Sequence, residues 1–175
     1  MPCEFKITRR VEFSETDQAG IMHFSNFFRF METAEHAFFR SLGLSVDLTK
    51  SGHRLGLPRV HAECDYAAPL CFEDEVLVHL LVEKKSTRTL TYQFRFTNLS
   101  QSPPREAARG RLVVVCVRRK KDGALQSASL PKVVLEKIQE APPALLASTG
   151  ASSQRNRSTK SRRLSVKPPK QDPHP

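Results

Sequence analysis

A single carboxylate, Asp17, stands in the stretch Thr16-Asp17-Gln18-Ala19-Gly20-Ile21-Met22-His23-Phe24-Ser25-Asn26, between an alternating segment and a strongly apolar one. Alternation predicts a strand before it and apolar periodicity predicts a helix after it, so Asp17 falls in the turn. Gly20 can take backbone angles that other residues avoid. Ser25 and Asn26 are good N-capping types and mark the helix start. A helix start offers unpaired backbone N–H groups and the positive end of the helix dipole, both suited to a developing oxyanion. A carboxylate just upstream is the minimum equipment for attack on an acyl group, which makes hydrolysis the leading chemistry. The competing use is structural, because an Asp ahead of a Gly commonly bonds its own backbone.

The elements that must position this turn are legible in the pattern. Phe5, Ile7, Val11 and Phe13 fall on one face of a strand, with Glu4, Lys6, Thr8, Arg10 and Glu12 on the other. From Asn26 to Leu42 the period becomes helical through Phe27, Phe30, Met31, Ala34, Ala37, Phe38 and Leu42. Phe28 and Phe39 widen the apolar surface, so this helix is covered on more than one side. Arg29, Thr33, His36 and Arg40 form its wet edge, and Gly43 supplies the stop. Residues 44–58 read as loop or a short helical turn. Strand-like runs follow near 59–67, 75–84, 88–98 and 106–119, with Lys121-Asp122-Gly123 as a hairpin signal. A last short helix is predicted from Ser129-Leu130-Pro131 to about Glu140. A curved antiparallel sheet wrapped around one long central helix is the simplest packing of these parts, an α+β layout.

Composition narrows the classes. The chain has 175 residues, 39% of them hydrophobic, enough for one domain with a real core. No apolar run reaches the ~20 residues of a membrane span, and the first residues are strand-like and polar rather than signal-like. Cys3, Cys64, Cys71 and Cys116 are scattered without metal spacing, which suggests free thiols in a cytoplasmic setting and no metal site. Of the net charge of +10, residues 141–175 hold +6, from seven Lys and Arg against Asp172. That Ser- and Pro-rich segment is almost devoid of large apolar side chains and is expected to be a disordered basic tail beyond a 1–140 domain. A solvated appendage is the expectation for it, ahead of nucleic-acid binding.

With these residues placed, the chain resembles the 4-hydroxybenzoyl-CoA thioesterase family of hotdog-fold acyl-CoA thioesterases. The carriers are Thr16-Asp17-Gln18-Ala19-Gly20-Ile21-Met22, Asn26-Phe27-Phe28 and the helix through Glu35, then Cys64-Asp65-Tyr66, Pro69-Leu70 and Asp74. The resemblance covers roughly residues 5–138. It implies a homodimer or homotetramer with active sites between subunits, hydrolysing an acyl-CoA to free acid and CoA. No cofactor is implied beyond the coenzyme A of the substrate. By the same resemblance Asp17 is the catalytic carboxylate, as nucleophile or as general base, and the thioester carbonyl meets backbone amides around His23 and Phe24. Many members carry His or Tyr where this chain has Phe24, so any imidazole would come from His23, one place earlier.

Asn26, Lys85 and Arg88 are the substrate-binding candidates. Coenzyme A brings phosphates, and Lys84, Lys85 and Arg88 flank one strand turn while Arg118, Arg119 and Lys120 end another strand. On the helix, Glu32 and His36 have the spacing of an ordinary surface ion pair. Glu32 and Glu35 stand as secondary catalytic candidates, because one hotdog branch uses a helix carboxylate. Glu63 reads as an outward charge. The alternatives to hydrolysis are a hotdog acyl-thioester hydratase or dehydratase and a non-catalytic acyl-CoA-binding protein.

Overall fold

A helix apolar on several sides needs cover on several sides, and the sheet supplies it by curling. The structure, a computed structural model, describes residues 1–51 and 55–147. β1 (Glu4–Arg10) leads through a 3₁₀ turn at Phe13–Glu15 and the Asp17 loop into α1 (Ser25–Ser41). After a second 3₁₀ turn (Leu48–Ser51) come β2 (Leu55–Gly56), β3 (Arg59–Tyr66), β4 (Glu75–Lys85), β5 (Thr89–Asn98) and β6 (Arg105–Val115). A small hairpin, β7 (Val117–Arg119) and β8 (Leu125–Ser127), precedes α2 (Lys132–Lys137) and α3 (Pro143–Ala147).

The main sheet is antiparallel in the order β1-β4-β5-β6-β3, and α1 packs across its concave face against β1, β4, β6 and β3. Phe30, Met31, Ala34 and Phe38 meet Val78, Leu80, Phe94, Phe96 and Leu112 in one continuous core. Register shifts between Val82 and Lys84 and between Phe96 and Thr97 add the twist that bends the sheet round the helix. Gly43 ends α1 at φ +69°: the Leu44 amide donates to the Phe39 carbonyl and the Gly43 amide to Arg40. That paired bonding is a Schellman stop, and it requires the left-handed residue that Gly provides. Close approach of helix and sheet depends on Gly110 in β6, where an added Cβ would lie 2.6 Å from Met31 Sδ.

Several expectations are corrected. The helix begins at Ser25, but Phe24 occupies the cap position with helical angles and no side-chain cap bond. A tightened lead-in replaces the cap, with the Asn26 amide donating to His23 and the Phe27 amide to Phe24. The run at 106–119 is two strands, because the chain changes sheets at Cys116. There the Cys116 amide bonds the Arg88 carbonyl and its own carbonyl receives Ala128, and β7 then joins β2 and β8. Phe13 is not on a strand face. β1 stops at Arg10, and Phe13 lies in the 3₁₀ turn, 76% exposed and edge-on to Phe72. The helix expected from Ser129 to about Glu140 is α2, which runs only from Lys132 to Lys137, and a further short helix, α3, follows it.

The segment assigned to the tail is, as far as Ala147, built onto the sheet. Ala141 is buried with its amide on the Val82 carbonyl, and the Arg95 guanidinium holds the Leu145 and Leu146 carbonyls of α3 at 2.6 and 2.9 Å. Residues 148–175, with the remaining basic charges, lie outside the described residues.

Because Met31 fills the space that a Cβ at position 110 would need, Gly110→Ala is expected to lower stability by about 1–3 kcal/mol. Shortening Met31 to Ala in the same chain should make the pair less destabilised than the sum of the single changes. Denaturant melts of the four proteins check this, and strict additivity would remove Met31 as the cause.

Candidate active site

The Asp17 loop is held from two sides. Thr16 and Met22 bridge each other, Ile21 bridges Cys71, and the Asp17 amide donates to the Ile21 carbonyl at 2.9 Å. The Met22 amide donates to Leu70 at 2.7 Å, so Pro69-Leu70 serves to clamp the loop. Asp74 ties the same region together by accepting from the Cys71 amide and the Asn98 side chain through one oxygen. Gly20, at φ +75°, lets the turn close with its amide on the Asp17 carbonyl. Inside it, Asp17 is half-buried, and its Oδ1 accepts the Ala19 amide at 2.8 Å. The structural use weighed for Asp17 is present, since the turn bond occupies Oδ1 and gives the carboxylate a fixed direction.

The helix start divides the two amides singled out in the sequence. The His23 amide donates to the Glu15 carbonyl at 2.9 Å, whereas the Phe24 amide has no acceptor among the described residues. His23 Nδ1 shares a 2.8 Å hydrogen bond with Ser25 Oγ, and its ring lies 4.4 Å from the exposed Phe24 ring. Asn26 is buried and donates to the Glu15 carbonyl at 2.7 Å, which locks the 3₁₀ turn onto the helix rather than reaching outward. Tyr66, from the far end of β3, packs edge-on against Phe27 and donates its hydroxyl to the Phe24 carbonyl at 3.3 Å.

The basic candidates separate as well. Lys85 Nζ donates to the Leu135 and Ile138 carbonyls at 2.7 and 2.6 Å, so its ammonium closes the end of α2. Arg88 is exposed in the tight turn between β4 and β5. Arg119 and Lys120 instead border a cavity of about 790 Å³ formed by the second 3₁₀ turn, β2 and the β7–β8 hairpin.

That cavity exposes what the sequence reading underweighted. Glu35 lines it and is only 1% exposed, with Oε2 on the Arg59 guanidinium at 2.7 Å and Oε1 buried without a hydrogen-bond partner among the described residues. Arg59 also reaches Glu32 at 3.0 Å, while Glu32 and His36 stand 3.9 Å apart as the expected surface pair. Burial pushes the Glu35 carboxyl up to about 7, against the pull of Arg59 and with a smaller push from Glu32. The signal was present in the spacing: Glu35 follows Phe27 and Met31 at four-residue steps, on the apolar stripe and not on the wet edge. Among the described residues, no group of three or more His, Cys, Asp or Glu could hold a metal ion, and no helix is long and apolar enough to cross a membrane.

An antiparallel sheet curled round one central helix, with a rigid carboxylate loop at the helix start, is the hotdog architecture of acyl-thioester enzymes. A family model described as the Thioesterase-like superfamily matches residues 11–138, and the chain belongs to that superfamily. It is 40% identical over 92 residues to an esterase-designated protein of Aquifex aeolicus (strain VF5), across 51% of this chain and 70% of that one. The crystal structure of a 1,4-dihydroxy-2-naphthoyl-CoA thioesterase from Synechocystis superposes with a TM-score of 0.69 at 25% identity, covering 77% of this chain and 94% of that one. The 4-hydroxybenzoyl-CoA thioesterase of Pseudomonas sp. strain CBS-3 shares the fold, with a TM-score of 0.70 at 17% identity over 77% and 99% of the two chains. Sequence matches to other cyanobacterial 1,4-dihydroxy-2-naphthoyl-CoA hydrolases cover as little as 54% of those proteins.

The raised Glu35 carboxyl has a consequence for stability. Between its ordinary 4.5 and about 7, the folded protein keeps a proton that the unfolded chain has released. Stability contributed by this group is therefore complete below pH 4.5 and is lost as pH rises through 7. Glu35→Gln should flatten that decline and melt above wild type in mildly alkaline buffer. Thermal melts at several pH values check it, and an unchanged slope would assign the decline to other groups.

Proposed function

We propose that the protein is an acyl-CoA thioesterase that converts an acyl-CoA and water to the free acid and CoA. The observation that carries the reading is the pairing of a fixed, half-buried Asp17 carboxylate with an unaccepted Phe24 amide at the start of α1. In the proposed reaction Asp17 attacks the thioester carbonyl or takes a proton from the attacking water, the Phe24 amide stabilises the oxyanion, and the C–S bond breaks to release the thiol. His23, its Nδ1 engaged by Ser25 and its ring beside that of Phe24, is assigned to the edge of the site. Asn26 acts by holding the helix start against the 3₁₀ turn. Arg88 remains a candidate for the CoA phosphates, and Arg119 and Lys120 are added to it because they rim the cavity. CoA enters as part of the substrate, and the reading calls for no resident cofactor. Four free cysteines accord with a cytoplasmic setting.

The working unit in this reading is a homodimer joined through β3. That strand is the sheet edge opposite β1, nearly all of it exposed, with Val60 at 62% and Tyr66 at 49%. A long exposed edge of this kind is a template for another strand. Antiparallel pairing of two β3 strands places the Tyr66 end of one, beside Phe24, next to the Arg59 end of the other, beside Glu35. Each Asp17 loop would thereby face the second protomer's cavity.

Thiol release from an acyl-CoA panel that includes 1,4-dihydroxy-2-naphthoyl-CoA tests the reading. Wild type should turn over at least one ester, and Asp17→Asn should lose ~10²-fold or more. Full activity in the variant would remove Asp17 as the catalyst. Sedimentation should find a dimer of the 19.8 kDa chain in wild type and a lighter species in Val60→Pro, since proline on an edge strand blocks pairing. A monomeric wild type would remove the composite site.

A further inference from the structure

Glu15 stands at the junction of the two halves of the site, two residues before Asp17 and at the end of the first 3₁₀ turn, with its side chain 16% exposed. Its carbonyl takes two donors from the helix start, the His23 amide at 2.9 Å and the Asn26 side chain at 2.7 Å. The Asn26 amide in turn donates to the His23 carbonyl at 2.9 Å. These three bonds close a ring through Glu15, His23 and Asn26, and the His23–Phe24 peptide is part of it. That peptide is trans, so its N–H points away from its own carbonyl. With the carbonyl turned toward Asn26, the Phe24 amide is directed away from the helix. The carbonyl of Glu15 thus takes up the neighbouring donors and leaves this one free.

That carbonyl is fixed in turn by the Glu15 side chain. Oε2 accepts the Glu12 amide at 2.9 Å, the reach-back half of a capping box across the 3₁₀ turn. Oε1 lies 3.4 Å from the Arg9 guanidinium. Arg9 is anchored independently, 4.5 Å over the Phe30 ring and 3.3 Å from Thr33 Oγ1. One carboxylate therefore ties the turn to β1 and, through Arg9, to α1. Partly exposed ion pairs of this kind contribute little to global stability, and α1 is already held by its apolar core. What the contacts of Glu15 control is where the turn sits against the helix start.

We propose that Glu15 is a positioning residue for thioester hydrolysis: its side chain fixes the carbonyl that orients the His23–Phe24 peptide, and so sets the Phe24 amide relative to Asp17. This rests on the thioesterase reading, in which that amide is the oxyanion donor. Glu15 touches no reacting atom and acts through His23 and Asn26. A displacement of about 1 Å at such a donor can cost ~10²-fold in rate.

Kinetics and a carbonyl signature test the role. Glu15→Ala, which removes both side-chain contacts, should lower kcat at least ~tenfold with KM held within about twofold. Glu15→Gln keeps an acceptor for the Glu12 amide and should restore most of that loss. Rates are compared per folded molecule, from melts of each variant. In an Asp17→Asn host, infrared difference spectra are taken with the ester that wild type hydrolyses fastest, isotope-labelled at its carbonyl carbon. A hydrogen bond to the oxygen lowers the C=O stretch, so the bound ester should absorb below its solution frequency. Adding Glu15→Ala to that host should move the band back toward solution. Wild-type kcat in Glu15→Ala, no recovery in Glu15→Gln, or a loss of rate without the carbonyl shift overturns the assignment. Failure of the thioesterase reading registers earlier, as absent thiol release by wild type, and removes the positioning role with it.

Discussion

Everything in this molecule is arranged around the need to bury α1. Phe27, Phe30, Met31, Ala34, Phe38 and Phe39 are almost wholly removed from water, and they point to more than one side of the helix. At about 25 cal/mol per Å² of apolar surface, no flat sheet covering one face would recover that area. The sheet therefore bends, using bulges in β4 and β6 and the absence of a side chain at Gly110 to bring strand and helix into contact. The chemistry follows from the same constraint. At the start of that helix the Asp17 loop is clamped by Leu70, Cys71 and Glu15.

The second consequence of enclosure is Glu35. Any residue on the buried side of α1 is carried into the core whatever its type, and a carboxylate there must be paired or neutralised. Here it is half-answered: Arg59 reaches in from the start of β3, burial raises the carboxyl toward neutrality, and one oxygen has no hydrogen-bond partner among the described residues. Replacing such a pair by apolar residues is often neutral or stabilising.

Much of this was written plainly in the sequence. The alternation in β4 and β5, the period of α1, the Gly43 stop and the Lys121-Asp122-Gly123 turn all report on neighbours close in the chain, where side-chain spacing and backbone preference act directly. The loop around Asp17 was legible for the same reason. The misreadings fall where distant segments decide. Phe13 alternates correctly yet is exposed, because β1 loses its partner β4 after Arg10 and the chain turns away. The apolar run into Val117 looks like one strand yet changes sheets at Cys116, because β2 and β8 wait on the far side.

The sequence by itself determined the local units: the curved-sheet and helix elements, the carboxylate turn at the helix start, and the class of chemistry that such a turn can perform. Tertiary structure alone decided which charges are free and which are spent. Lys85 looked like a phosphate ligand and is consumed by the carbonyls at the end of α2. Arg119 and Lys120 were equal to it on paper and lie at a cavity border. His23 and Phe24 are adjacent residues, yet only one amide lacks an acceptor. Glu35 and Glu32 share a helix, yet one is buried and the other half-exposed. The physical reason is common to all four: hydrogen bonding and desolvation depend on what lies across a gap of a few ångströms, and the chain that fills that gap is distant in sequence.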